Sequence, residues 1–77
     1  MKSFSDLSGQ HQVLLALECH SVMMFVRGKR GASLANNLRN VGCARVRSIT
    51  ATHVVVAITD YGRATAKDIR RDLRNAG

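Results

Sequence analysis

The chain has 77 residues, enough for one small domain spanning 1–77 and too few for an enzyme with its own cofactor domain. Hydrophobic residues make up 45% and charged residues 22%, a globular balance, and twelve Lys and Arg against five Asp and Glu leave a net charge of +7. The apolar run Val22–Val26 is far too short to span a membrane, Met1-Lys2-Ser3-Phe4-Ser5-Asp6 lacks a signal peptide's apolar run, and two cysteines without CxxC spacing make no disulfide scaffold, so the expectation is a cytoplasmic, reduced protein.

Residues 1–6 read as a loose N-terminus. Ser8 is a candidate N-cap, with Leu7 in the position of a staple. Gln10 to about Cys19 reads as a helix with Val13, Leu14 and Leu17 on one face, and its low charge suits buried scaffold. Val22-Met23-Met24-Phe25-Val26 stays open between a strand, which Val and Phe favour, and a short helix, which the two Met allow. Met23, Met24 and Phe25 suit core filling ahead of the alternative, a sticky binding surface. Arg27-Gly28-Lys29-Arg30-Gly31 is a turn with two glycines and three positive charges.

Ala32 to Val41 predicts a helix. Leu34, Leu38 and Val41 form its apolar face, and Ala32, Ser33, Asn36, Arg39 and Asn40 lie opposite. Gly42 follows where a helix commonly ends in the left-handed conformation. Ala44 to Ile49 alternates, with Ala44, Val46 and Ser48 to one side and Arg45, Arg47 and Ile49 to the other. Thr50–His53 is a short polar turn. Val54 to Ile58 is the strongest strand signal, and the two strands should pair as a hairpin. Thr59 caps a last helix whose inner stripe is Ala66, Ile69 and Leu73. Arg70, Arg71 and Arg74 suit the negative end of its dipole, and residues 75–77 fray.

The charge is concentrated. Residues 1–26 hold Lys2 against Asp6 and Glu18, whereas residues 27–77 hold eleven bases against three acids, and nine of the twelve bases are Arg. Arg grips phosphate with a two-pronged fork and reads guanine edges, so this excess is the footprint of a nucleic-acid binder. A solvated basic surface, or one that meets an acidic protein, would show the same excess. His11, Cys19, His20 and Cys43 lack the paired spacing of a zinc site, and no spacing marks a nucleophile. The expectation is a non-enzyme with neither metal nor cofactor.

Three segments carry a resemblance. Leu7-Ser8 is followed at helical spacing by Leu14 and Leu17. Ser33-Leu34 leads through Leu38 to Gly42, Ala44 and Val46. The last strand runs into Ile58-Thr59-Asp60-Tyr61-Gly62-Arg63-Ala64. Over roughly residues 7–70 this resembles the winged helix–turn–helix domain, in particular small bacterial regulators of the multiple-antibiotic-resistance-regulator kind. The resemblance implies an α+β fold in the order helix, short element, recognition helix, β-hairpin wing, C-terminal helix. In that fold Gly62 lets the last helix start close against a neighbour. With Val22–Val26 as a strand, the helix–turn–helix would be degenerate. The implied function is that of a small DNA-binding protein, a transcriptional regulator. Helix 32–41 would enter the major groove of double-stranded DNA, presenting Ser33, Asn36, Asn37, Arg39 and Asn40. Lys29 and Arg30 would meet phosphate or base edges at its entry. Arg45 and Arg47, on the wing at 44–58, would lie on phosphates. Those two also suit a charged edge that discourages strand pairing, and the Asn residues suit a plainly solvated face.

Tight binding by so small a domain implies a homodimer or a co-bound partner, and Ile69 and Leu73 on the last helix are the surface available for a dimer. The alternative is a protein-interaction module or inhibitor on the same scaffold, of phage or other mobile-element type, that binds a host nucleic-acid-handling complex. RNA binding is disfavoured by two Phe, one Tyr and no Trp, which offer few stacking platforms.

Overall fold

The computed structural model describes residues 8–75. The loose N-terminus expected at 1–6, the staple residue Leu7 and the terminal Ala76-Gly77 lie outside the described residues. Asn75, expected to fray, is the last residue of a helix. The order is α1 (Gly9–His20), β1 (Val22–Val26), α2 (Arg30–Asn40), β2 (Ala44–Ile49), β3 (His53–Ile58) and α3 (Asp60–Asn75). This is an α+β arrangement with one three-stranded antiparallel sheet, in the order β1-β3-β2. Among the described residues no helix is long and apolar enough to cross a membrane.

The Ser8 hydroxyl accepts the His11 N–H at 3.3 Å and caps α1. The helix ends at Ser21, a non-glycine residue at φ 67°, whose N–H returns to the Leu17 carbonyl at 2.7 Å. That reversal sends the chain directly into β1. The ambiguous run is a strand, with all five residues opposite β3 from Val22–Ala57 to Val26–His53. Cross-strand partners decide what a short apolar run leaves open. Helix α2 is therefore preceded by a strand and a tight turn, with Gly28 at φ 80°.

Helix α2 begins two residues before its expected start, which brings Arg30 and Gly31 into the helix. Ala35 and Leu38 are buried and Leu34 is half-buried, but Val41, expected on the apolar face, is the C-cap and 54% exposed. Gly42 sits at φ 86°. Its N–H reaches the Arg39 carbonyl at 3.1 Å and the Cys43 N–H reaches Leu38 at 2.9 Å, the paired pattern that ends a helix in a left-handed residue.

Strands β2 and β3 form the expected hairpin, with Ala44 opposite Ile58 and Val46 opposite Val56. Beyond Val46 the register slips by one, so Ser48 stands opposite Val55 and Arg47 is the extra residue of a bulge. The strict alternation read from the sequence fails there. Ile49 pairs with Val54, returning to the face of Val46 rather than joining Arg45 and Arg47.

The core lies on one side of the sheet. Met23, Phe25, Val54, Val56 and Ile58 meet Leu14, Leu17, Ala35, Leu38 and Ala66 there. The other face presents Val22, Met24 and Val26 from β1 beside Val55 and Ala57 from β3, and the three β1 residues are exposed. Thr59 precedes helix α3, and its Oγ1 donates to the Gly42 carbonyl at 2.6 Å and accepts the Gly62 N–H at 3.0 Å. One threonine thus caps α3 and ties it to the end of α2.

Candidate nucleic-acid interface

One end of the molecule is basic because Arg27 fastens two loops together. Its backbone N–H donates to the Thr52 carbonyl at 2.9 Å and its Nη1 to the Thr50 carbonyl at 2.9 Å. The hairpin tip is thereby held against the turn between β1 and α2, where Lys29 stands, while Arg30, the first residue of α2, sets its guanidinium beside Gly9 of α1. Lys29 is the N-cap of α2 and makes no side-chain capping bond, and the first turn contains no acid. The positive end of the helix dipole adds to these three cations instead of being neutralised.

From there α2 presents Ser33, Asn36, Asn37, Arg39 and Asn40, all exposed, and the whole helix contains no Asp or Glu. Arg39 is held between two of its neighbours. Its Nε donates to Asn36 Oδ1 at 3.2 Å and its Nη2 to Asn40 Oδ1 at 3.4 Å. These bonds leave the amide nitrogens of both Asn side chains available as donors. Ser33, Asn36 and Arg39 also border a groove of about 410 Å³ between α2 and the hairpin. Arg27 lies along that groove, and Val46, Ile49, Val54 and Val56 give it an apolar floor. Ile49 belongs to the floor because the bulge at Arg47 turns it there, and it remains 61% exposed.

The structure thus brings Lys29, Arg30, Ser33, Asn36, Asn37, Arg39 and Asn40 onto one helix and its N-terminal end. Arg45 does not join them. It stands opposite Ala57, so it projects from the sheet face that α2 does not cover. Arg47 is exposed at the bulge. Nothing in the sequence marks Arg27 apart from Lys29 and Arg30 in the glycine-rich basic turn, since its two carbonyl partners belong to the distant hairpin tip.

Three cations of α3 are engaged within the chain. Arg70 pairs with Glu18 of α1, and its Nη2 donates to the Leu15 carbonyl at 3.3 Å and to Cys19 Sγ at 3.2 Å. The hydrogen bond it donates to Glu18, with that carboxylate's charge, holds the Arg70 guanidinium above its ordinary pKa against partial desolvation. Arg70 therefore complements the C-terminal half of α1 rather than the end of its own helix. Arg71 pairs with Asp68, and Arg63 donates to the Ser21 hydroxyl at 3.1 Å. Ile69 and Leu73, expected to be available to a second copy, are half-buried against the core.

Comparison with protein-family models, with curated proteins and with solved structures finds no match for the chain.

Proposed function

We propose that the protein binds double-stranded DNA as a small regulator, with α2 in the major groove and the hairpin tip beside the backbone. The observation that carries this is the exposed face of α2, free of acids, with Arg39 bracketed by Asn36 and Asn40. The uncapped end of the same helix lies among Arg27, Lys29 and Arg30. Phosphate contacts by those three cations supply affinity, and Arg39 with the Asn side chains supplies base contacts worth roughly 1–3 kcal/mol for each good pair. The order of elements supports a winged-helix-like reading in which β1 stands where a middle helix would be, and the β2–β3 hairpin is the wing.

The test is fluorescence anisotropy with a random duplex of about 25 base pairs across a salt series. Micromolar binding that weakens steeply with salt supports the reading. Absence of binding at low salt, despite a charge of +7, overturns it and favours a protein partner.

A further inference from the structure

The two edges of the sheet are built differently. Strand β2 is broken by the bulge at Arg47 and carries two Arg residues, the devices by which proteins stop an edge from pairing. Strand β1 has neither device. Val22–Val26 contains no charge, proline or glycine, and its register with β3 is unbroken. The Ser21 carbonyl accepts the Ile58 N–H and the Arg27 N–H donates to Thr52, both at 2.9 Å. Residues 21, 23, 25 and 27 therefore turn their backbone groups toward β3, and Val22, Met24 and Val26 turn theirs outward. Of these outward groups the Val26 carbonyl accepts the Lys29 N–H at 3.3 Å. The same three residues are exposed by 40%, 63% and 47%.

The strand itself indicates its partner. Val-Met-Met-Phe-Val has nearly the same chemistry read in either direction. An antiparallel copy centred on Met24 sets Val22 against Val26, Met23 against Phe25 and Met24 against its counterpart. Every outward N–H and C=O of Val22, Met24 and Val26 is then paired, which is the self-complementarity a two-fold contact requires. Charge opposes the contact: two copies at +7 repel, and this register brings Arg27 opposite Ser21, whose hydroxyl accepts from Arg63, so the pairing should strengthen as salt rises.

We propose that β1 is a self-pairing edge, through which two copies join across Met24 into one continuous sheet with both helical layers on the same side. The blocked β2 edges close the assembly at two. An edge only about 17 Å long makes a small interface, so the dimer forms as concentration rises rather than being obligate.

Sedimentation velocity from micromolar to millimolar protein, without DNA, tests this separately from the DNA reading. The expected result is a shift from monomer to dimer mass and no further. Met24→Lys and Met24→Glu each place like charges across the two-fold axis and should each stay monomeric, with unchanged circular dichroism and melting temperature. An equal mixture of the two should recover the dimer. Hydrogen exchange on the unsubstituted protein should slow at the Val22, Met24 and Val26 amides as concentration rises, and not at Met23 or Phe25. A protein that stays monomeric throughout, a Met24→Lys variant that dimerises like the parent, or a mixture that fails to reassociate overturns the proposal. So does exchange that is independent of concentration, which a fold failure in the variants could not mask.

Discussion

At Gly62 a single hydrogen atom decides whether α3 can seat. A Cβ there would overlap the Cys43 carbonyl oxygen and come within 2.9 Å of Ile58 Cγ1. The carbonyl cannot retreat freely, because it accepts the Thr59 N–H at 3.1 Å. Gly62→Ala is expected to cost at least about 2 kcal/mol in urea unfolding, by overpacking against backbone. Gly28→Ala is the control. It sits at φ 80° with nothing within 4 Å of a new Cβ, so only backbone strain of about 1 kcal/mol applies. Equal losses at both positions would contradict the steric account. Thr59 is the second anchor, since its hydroxyl both donates and accepts. Thr59→Ala should lose roughly 1–2 kcal/mol and Thr59→Ser only a small part of that, read from the same unfolding curves. Thr59 was legible in the sequence, because a cap needs only the helix that follows it, whereas Gly62 came with the winged-helix resemblance, since a close approach is set by its neighbour. Ser21 was not legible, because nothing local marks a serine as the residue that must take φ 67°.

Elements were legible where their period was long enough and illegible where a partner sets it. Helix α3 shows its inner stripe of Ala66, Ile69 and Leu73 over several turns, and the structure places all three inward. Strand β1 has too few residues to show a period, and only the ladder to β3 decides it. The bulge at Arg47 is equally silent in the sequence, yet it moves Ile49 across the sheet. The joint between α1 and α3 was misread for the same reason. Arg70 looks like a dipole partner of its own helix until α1 is packed beside it. A double-mutant cycle with Arg70→Met and Glu18→Gln measures that joint. Arg70 keeps 43% of its side chain exposed against 16% for Glu18, so screening holds the coupling energy to about 0.5–1 kcal/mol. The coupling should shrink as salt rises, and a value of zero at low salt would mean that the pair only decorates the joint.

For the whole molecule the question is how much of a +7 charge one duplex can meet at once. The exposed face of α2 and the basic end at Arg27, Lys29 and Arg30 are contiguous, since the hairpin tip is fastened to that end. Arg45 projects from the opposite side of the sheet. A straight duplex lying along α2 therefore reaches Lys29 and not Arg45, although the resemblance to a winged helix put Arg45 on phosphates. The expected outcome is a division among single substitutions. Lys29→Ala should lower the slope of log K against log salt by about 0.9, the share of one phosphate contact. Arg45→Ala should leave that slope unchanged. Asn36→Ala should also leave it unchanged, while reducing the preference for a selected site over random duplex by roughly 1–3 kcal/mol. Removing the Asn36 amide also releases one of the two oxygens that hold Arg39 Nε and Nη2, so its loss should be less than additive with Arg39→Ala. If Arg45→Ala flattens the slope as much as Lys29→Ala, the nucleic acid wraps both faces of the sheet. The contact would then be read from charge alone rather than from the helix.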